Sequence, residues 1–348
     1  MMDGNDSRAG LRYPFEGPPP EGEVIRIADG VFWARLPLPM VLDHVNVYVL
    51  DDGDGWTVFD AGMNTQRSRA IWESLLTGPL RGKPVTRVIA SHHHPDHIGL
   101  AGWFQAQGAA LLSTRTAWLF ARMLTLDAQD TPPPEMLRFW SRAGMDAAIL
   151  DQRRSERPFN FCDTVAPLPL GFHDLREGAV IRAGGRDWDV RLGQGHAPDQ
   201  ITLWSRDCDL VLGADQLLPS ISPVLGVYAT EPDADPVGEW MASCTRLKEF
   251  ARAEHLVLPG HKLPFTGLPL RLDQLIENHL GALRRLEALL HEPHVTSACF
   301  GPLFKRKVTD ATYGLALAET VAHLNHLYAQ GRVRRWLNDD GAWMWQAG

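Results

Sequence analysis

The chain lacks any long apolar run and contains few cysteines. No uninterrupted apolar stretch in its 348 residues reaches the length that spans a bilayer, so we expect no membrane partner. Its first residues, Met1 to Ser7, are polar and lack the apolar core of a signal peptide. The four cysteines form no Cys-x-x-Cys pair, which is typical of free thiols in a reducing compartment. We therefore expect a cytoplasmic protein.

The chain also lacks an excess of basic residues. Its formal net charge is −8, with 34 Lys and Arg against 42 Asp and Glu. Residues 271–348 carry a net charge of +1, which leaves −9 for residues 1–270. Because an acidic surface repels phosphate backbones, this charge disfavours general binding of nucleic acid. The uneven charge indicates a separate C-terminal unit.

What the chain does contain is a dense group of metal-binding side chains. His92, His94, Asp96 and His97 form a His-x-His-x-Asp-His pattern, in a chain with only 14 histidines. Imidazole nitrogens suit zinc and iron, and a carboxylate adds a harder oxygen ligand. The β-branched segment 85–90 before them is typical of a buried strand, so we expect these four side chains in the loop where that strand ends.

Three later segments supply further metal-binding groups. His196, Asp215 and His261 each follow a predicted strand, and each comes directly after a glycine or an alanine. Glycine lets the backbone turn sharply and approach a metal closely. Since residues 92–97 alone cannot complete a site for two metal ions, these three side chains are the candidates to complete it. His93 alternates with the neighbouring donors and is expected to point away from them.

Hydrophobic patterns divide the chain into three parts. Residues 1–22 are expected to form a flexible N-terminal arm. Residues 23–270 alternate predicted strands and helices, which is typical of sheets covered by helices. Within this part, residues 113–176 form a predicted helical insertion near the metal-binding loops. Residues 271–348 show two helical patterns and a terminal hairpin, so we expect a small winged-helix-like domain there.

In order and spacing, the metal-binding residues resemble the signature of the metallo-β-lactamase superfamily. That signature is His-x-His-x-Asp-His, then Gly-His, then an Asp, then a second Gly-His, and all four parts are present here. The resemblance covers roughly residues 24–270. It implies an α/β (α+β) fold, a four-layer αβ/βα sandwich, with two divalent metal ions at the edge of its sheets.

The same resemblance implies a role for each residue. Three histidines would hold the first metal ion: His92, His94 and His196. Three residues would hold the second: Asp96, His97 and His261. Asp215 would bridge the two ions. Asp60, in the Asp-x-Gly element of residues 60–62, would be a carboxylate that orients a metal ligand, and His44 and Asn46 match an early family strand with a structural role.

The C-terminal unit adds to this resemblance. A superfamily core followed by a winged-helix-like tail is similar to the lactamase-β-like-protein-2 branch. The other histidines lack ligand spacing, and we expect them on the surface or on helix faces. These are His173, His255, His279, His291, His294, His323 and His326.

Two metal ions a few ångströms apart predict hydrolysis. They would lower the pKa of a shared water to about 7 and polarise the bond under attack. Asp96 or Asp215 could take or return the proton as the catalytic acid and base. We therefore expect a dinuclear metal-dependent hydrolase acting on a small ester, thioester or lactone. Zinc is the favoured metal, with iron and manganese as alternatives.

Other functions remain open at this point. A phosphodiesterase or ribonuclease of the same fold is favoured by the branch resemblance and by basic residues in the tail, and a mononuclear iron dioxygenase is a further alternative. The basic residues are Lys305, Arg306, Lys307, Arg332, Arg334 and Arg335. A non-catalytic binding protein is hard to reconcile with a complete ligand set.

The sequence gives weaker indications about the substrate. Ser222 and Tyr228, in the segment after Asp215, are candidate substrate contacts. Aromatic residues of the 113–176 insertion could form an apolar wall for an acyl or aromatic group. We expect a small-molecule partner, do not favour nucleic acid, and leave a homo-oligomer open.

Overall fold

The computed structural model describes residues 10–304 and 307–348. The first nine residues of the predicted arm and two of the predicted basic residues, Lys305 and Arg306, lie outside the described residues. In the part of the chain that the structure describes, no helix combines the length and the apolar content that crossing a membrane requires.

The first large sheet contains seven strands in the order of the chain. They are β1 (Ile25–Ala28), β2 (Val31–Pro37), β3 (His44–Asp51), β4 (Trp56–Phe59), β5 (Val85–Ile89), β6 (Ala110–Ser113) and β7 (His173–Asp174). Neighbours from β1 to β4 are antiparallel, and those from β4 to β7 are parallel.

The second large sheet contains five strands in the order β12-β11-β10-β9-β8. They are β8 (Val180–Ala183), β9 (Arg186–Gly193), β10 (Gln200–Ser205), β11 (Leu210–Ala214) and β12 (Leu256–Pro259). β9 and β11 are both antiparallel to β10, and β12 is parallel to β11. β9, β11 and β12 therefore end at the same edge of this sheet.

Helices connect and cover these strands. They are α1 (Gln66–Thr77), α2 (Pro95–Ile98), α3 (Ala101–Gln105), α4 (Arg115–Leu126), α5 (Pro134–Arg142), α6 (Ala147–Arg153), α7 (Pro236–Lys248), α8 (Leu268–Leu289), α9 (Phe300–Leu303) and α10 (Asp310–Ala329). Side-chain oxygens of Thr65, Thr114 and Asp235 cap the first turns of α1, α4 and α7. These caps fix where the helices begin, because they satisfy backbone N–H groups that lack a partner within the helix.

Three apolar cores hold the layers together. The first packs α1 and α3 on the outer face of the first sheet, with Trp72 and Phe104 buried there. The second lies between the sheets and includes Trp33 and Trp188. The third packs α7, α8 and α10 on the outer face of the second sheet, with Trp240 among its residues. This order of helices, sheet, sheet and helices confirms the predicted four-layer αβ/βα sandwich.

The C-terminal residues form a small third sheet with β15 in the centre. Its strands are β13 (His294–Val295), β14 (Val333–Leu337) and β15 (Trp343–Ala347). Trp345 of β15 belongs to the same core as Trp240 of α7. A small C-terminal domain is confirmed, and it shares its core with the sandwich. The boundary at residues 270 and 271 remains a prediction, and it falls inside α8.

Two segments differ in detail from the sequence-based expectation. In the predicted helical insertion of residues 113–176, α5 and α6 are separate helices, with Gly144 between them at a φ of 68°. A left-handed backbone conformation ends an α-helix. In the predicted arm, Leu11 is buried and Arg12 pairs through its backbone with Thr266.

Candidate metal centre

Strand ends place the predicted metal-binding residues at one edge of the two large sheets. β4 and β5 are parallel, so Asp60 and residues 91–97 follow the first sheet at the same edge. In the second sheet, β9, β11 and β12 run in one direction, and each is followed within three residues by His196, Asp215 or His261. Residues more than 160 positions apart in the chain therefore meet in space.

Three histidines form the first group of candidate donors. Nε2 of His92 lies 3.0 Å from Nδ1 of His94, and Nδ1 of His94 lies 3.0 Å from Nε2 of His196. His92 is fully buried, whereas His94 and His196 are half-buried. Three converging ring nitrogens are a set that suits zinc.

Two carboxylates and two further histidines complete the arrangement. Nε2 of His261 lies 3.2 Å from Oδ2 of Asp96, and Nε2 of His97 lies 3.5 Å from the same oxygen. Asp215 contacts both groups, since its Oδ2 lies 3.4 Å from Nε2 of His196 and 3.4 Å from Nε2 of His261. We call the following seven residues the donor cluster: His92, His94, Asp96, His97, His196, Asp215 and His261.

Asp60 orients two of these histidines. Its Oδ2 accepts a hydrogen bond from Nδ1 of His97 at 2.8 Å and another from Oγ of Ser91 at 2.9 Å. Because the Ser91 hydroxyl donates to Asp60, its oxygen accepts from Nδ1 of His92, 2.9 Å away. Both rings therefore carry their proton on Nδ1 and present the Nε2 lone pair to the cluster.

Backbone carbonyls orient two other rings in the same way. Nδ1 of His196 donates to the carbonyl of Val224 at 2.8 Å. Nδ1 of His261 donates to the carbonyl of His44 at 3.0 Å. In both cases the Nε2 lone pair faces the other donors, which is the arrangement expected of a metal-ligating histidine.

The hydrogen bonding of the cluster fits a divalent cation. Nε2 of His97 and Oδ1 of Asp215 are buried and have no hydrogen-bond partner. A buried polar atom without a partner is costly, and a cation that both atoms could bind removes that cost. A cation could also bind the Nε2 lone pairs of His92 and His196, which both face Nδ1 of His94.

Comparison with known proteins agrees with this geometry. Residues 40–293 match the family described as the metallo-beta-lactamase superfamily. The chain belongs to the metallo-β-lactamase superfamily. Residues 283–348 match a metallo-beta-lactamase-like C-terminal domain. The predicted superfamily is therefore confirmed, together with a C-terminal domain that occurs with it.

Individual relatives extend along almost the whole chain. The crystal structure of a β-lactamase domain protein from Burkholderia ambifaria is 32% identical, with a TM-score of 0.89 over 98% of this chain and 99% of that one. A metallo-β-lactamase family protein from Thermus thermophilus is 24% identical, with a TM-score of 0.77 over 93% of this chain and 100% of that one, and shows the shared fold.

A curated relative adds an activity. The probable metallo-hydrolase YqjP of Bacillus subtilis (strain 168) is 25% identical over 311 residues, which cover 88% of this chain and 94% of the relative. Together, the superfamily match, this relative and the buried histidine and aspartate groups assign the chain to the metallo-hydrolases.

Burial and neighbouring charges shift the pKa values of the histidines at this site in opposite directions. Burial, and then the nearby imidazoles, hold the pKa of His92 and of His94 well below the usual histidine value. Burial also acts to lower the pKa of His97, but carboxylates, Asp96 first, outweigh it and raise that pKa well above its usual value. The same opposition raises the pKa of His261 to about 10. A metal ion bound at Nε2 of these two rings would replace any proton held there.

Glycines let the backbone approach the donors. A Cβ on Gly260 would lie 2.3 Å from Oδ1 of Asp215 and 2.9 Å from Cε1 of His97. Gly195 has a φ of 101°, and a Cβ there would lie 2.5 Å from the carbonyl oxygen of Pro236. The glycines before His196 and His261 are therefore required by close contacts.

The structure separates the two predicted substrate contacts. Tyr228 is 52% exposed and lines a cavity. Ser222 is 3% exposed, and its hydroxyl lies 3.1 Å from Nε2 of His279, so it faces a helix instead of open space. His93, predicted to point away from the other donors, stacks on Phe161.

Sequence reasoning missed several supporting residues. Ser91 and Val224 hold metal-site histidines, but neither a serine nor a backbone carbonyl shows in a ligand pattern. Of the histidines expected on the surface or on helix faces, three lie on α8 and α10 and one precedes β12. All four are buried because packing partners distant in the chain cover them. They are His255, His279, His323 and His326.

Asn46 is also buried, and its Nδ2 donates to the carbonyls of Pro259 and Lys262 beside His261.

Proposed function

We propose that the chain is a dinuclear metal-dependent hydrolase that cleaves a small ester, thioester or lactone with an activated water. The single observation that carries this proposal is the donor cluster, in which Asp215 lies between two complete sets of donors. Two sets favour two ions over the single iron of a dioxygenase. Zinc suits the histidine-rich first set, and iron or manganese would also fit.

Residues of the cluster would divide the work. The first ion would be held by His92, His94 and His196, and the second by Asp96, His97 and His261, with Asp215 between them. Bound ions of this kind supply Lewis acidity and lower the pKa of water. Asp60 would hold His97 and His92 in the required tautomer, because it accepts the Nδ1 proton of one directly and of the other through Ser91.

Asp96 is the better candidate to move the proton. Its side chain is 20% exposed, against 8% for Asp215, so a substrate can approach it more closely. Burial acts to raise the pKa of Asp96, but His97 and His261 outweigh it and lower that pKa. An ionised carboxylate at neutral pH can accept a proton from water and return it to the leaving oxygen.

A cavity of about 430 Å³ has several aromatic residues in its lining, and the residues of the donor cluster are not among those that line it. Its lining includes Phe139, Trp140 and Phe159 of the predicted insertion, together with Tyr228 and Leu315. Tyr228 lies four residues after Val224, whose carbonyl accepts the hydrogen bond from His196. Aromatic walls of this kind suit the acyl or aryl part of an ester or thioester.

Metal analysis and a substrate panel test the proposal. Purified protein is expected to contain two metal ions per chain and to hydrolyse thioesters, esters or lactones. Asp96→Asn should lower kcat by about 10²-fold or more, because general acid–base catalysis contributes about 10²–10⁴-fold. Two ions without turnover of any panel member would overturn the substrate class, and one iron per chain would indicate a dioxygenase.

The second candidate function is a phosphodiesterase or ribonuclease. It is supported by the resemblance to the lactamase-β-like-protein-2 branch, whose winged-helix-like tail we propose for residues 271–348. The contacts of the basic residues weigh against it. Arg332 pairs with Glu287, and Arg335 pairs with Asp233 and lies over the ring of Trp345. Cleavage of RNA that weakens steeply with salt would favour this second function.

A further inference from the structure

The segment 215–228, which we call the 215–228 loop, contributes twice to the donor cluster. It begins with Asp215, which contacts both groups of donors. It also contains Val224, whose carbonyl oxygen fixes the ring of His196. The position of this loop therefore determines where two of the seven donors lie.

The loop lacks the backbone support of a regular element. Among the described residues, no backbone–backbone hydrogen bond involves residues 221–226. Leu217 donates to the carbonyl of Gly213, and Val227 donates to the carbonyl of Ala318 in α10. Side chains from outside the loop therefore contribute to fixing its path, since backbone polar groups need partners.

Arg271, in the first turn of α8, supplies two of these contacts. Its Nε donates to the carbonyl of Leu218 at 2.6 Å, and a terminal nitrogen donates to the carbonyl of Ile221 at 2.8 Å. Arg271 is 4% exposed. A planar guanidinium that donates in two fixed directions sets both the position and the orientation of the chain it binds.

A second connection runs from α10 through α8 to the loop. Nδ1 of His323 donates to the carbonyl of Glu319 at 2.8 Å, so its Nε2 accepts from Nδ1 of His279 at 3.1 Å. Nε2 of His279 then accepts from the hydroxyl of Ser222 at 3.1 Å. Each donor in this series of hydrogen bonds has one acceptor, so only one arrangement of the protons satisfies every bond.

We propose that α8 and α10 are part of the metal centre, with Arg271 and His279 as positioning residues for Asp215 and His196. The proposal rests on the proposed function, because it assumes that the donor cluster holds metal ions. It gives the C-terminal helices a role beyond stability: they set the geometry of the loop that carries one donor and orients another. Neither Arg271 nor His279 contacts the donors directly.

Variants of Arg271 separate positioning from stability. Arg271→Met keeps the length and removes both hydrogen bonds, and Arg271→Lys keeps the charge but not the planar pair of donors. Arg285→Met is the matched control, because Arg285 also lies on α8 and donates to a backbone carbonyl, that of Pro302, away from the loop. Zinc affinity is measured by competition with a chelator, and hydrogen exchange is measured for a peptide covering residues 216–228.

We expect Arg271→Met to weaken zinc affinity by about tenfold or more, the range found when groups that orient metal ligands are removed. In the same variant, exchange should accelerate at Leu217 and Val227, the two residues of this peptide whose amides donate to backbone carbonyls described above. Arg271→Lys should lie between it and the wild type, and Arg285→Met should change neither readout. If Arg271→Met fails to fold, zinc affinity and hydrogen exchange are measured on Arg271→Lys and Ser222→Ala instead.

The outcomes are distinct. Normal zinc affinity together with a lower melting temperature would overturn the proposal, because Arg271 would then be only a packing residue. Unchanged exchange in the 216–228 peptide would also overturn it. A wild-type protein that binds no zinc, iron or manganese would refute the proposed function, and the exchange measurement would still show whether Arg271 holds the loop.

Discussion

Asp60 stands out among the residues because its backbone and its side chain are both constrained. It has a φ of 62°, in the left-handed region. Its carboxylate accepts hydrogen bonds from the backbone N–H of Ser91, from the Ser91 hydroxyl and from His97. Asp60 therefore fixes the tautomers of two rings of one loop, that of His97 directly and that of His92 through Ser91.

We predict that Asp60→Asn weakens metal affinity by about 10–100-fold, as expected when a group that orients a metal ligand is changed. Asparagine tolerates a left-handed backbone, so the loss comes from the carboxylate and not from strain. Chelator competition gives the affinity. Asp52→Asn is the control, since Asp52 likewise accepts from a backbone N–H, that of Gly184, and from Arg87. Equal losses in the two variants would contradict the prediction.

Gly260 is a second residue whose role can be measured. In Gly260→Ala the new methyl group would lie 2.3 Å from Oδ1 of Asp215, so the carboxylate must move. We expect metal content per chain to fall, with activity falling in parallel. Gly301→Ala is a suitable control, because a Cβ there meets no atom within 4 Å. Elemental analysis after gel filtration measures the metal content, and full occupancy in Gly260→Ala would argue against a tight donor geometry.

At the scale of elements, strands and helices with a clear period were predictable from the sequence. The histidine-rich loop was placed correctly after β5 because residues 85–90 have the bias of a buried strand. The break between α5 and α6 was not predicted, because a single glycine at residue 144 is a weak signal inside a helical pattern. The pairing of His279 with His323 depends on how α8 packs against α10, which no local pattern contains.

An ion pair between two elements gives a prediction about pH. Glu287 of α8 accepts hydrogen bonds from Arg332, which comes just before β14. The bond to Arg332 lowers the pKa of this carboxyl below its usual value of 4.5. The ion pair therefore stabilises the fold at pH values above the usual pKa of the carboxyl. This stabilisation is lost as the pH falls through the lowered pKa.

Glu287→Gln should destabilise the protein at pH 7 by about 0.5 kcal/mol, a small value because both side chains are about a third exposed. The difference from wild type should disappear in acid, below the lowered pKa. Urea denaturation at several pH values measures it. Glu292→Gln, at an exposed position nearby, should show no such dependence on pH. A difference that persists in acid would mean that the effect comes from packing.

At the scale of the whole molecule, the C-terminal residues belong to the core. Several leucines from α8 and α10 have at most 1% of their surface exposed, among them Leu272, Leu283, Leu286, Leu317 and Leu324. Burial of each contributes about 1.5–3 kcal/mol. Their sum is comparable to the roughly 5–15 kcal/mol that stabilises a typical domain.

Truncation after Leu270 should therefore prevent stable folding, even though all seven donors remain in the chain. Circular dichroism and thermal denaturation of the truncated protein, compared with the full chain, test this expectation. A truncated protein that melts cooperatively near the full-length temperature and turns over substrate would show that residues 271–348 are dispensable.

The donor cluster draws its residues from both halves of the sandwich. Four donors follow β5 in the first sheet, and three follow β9, β11 and β12 in the second. Metal ions bound there would link the two sheets, and their binding free energy would oppose separation of the sheets. At a free zinc concentration a hundred times the dissociation constant, that contribution is about 2.7 kcal/mol. The melting temperature of the protein should therefore rise with the free zinc concentration and fall when a chelator is added.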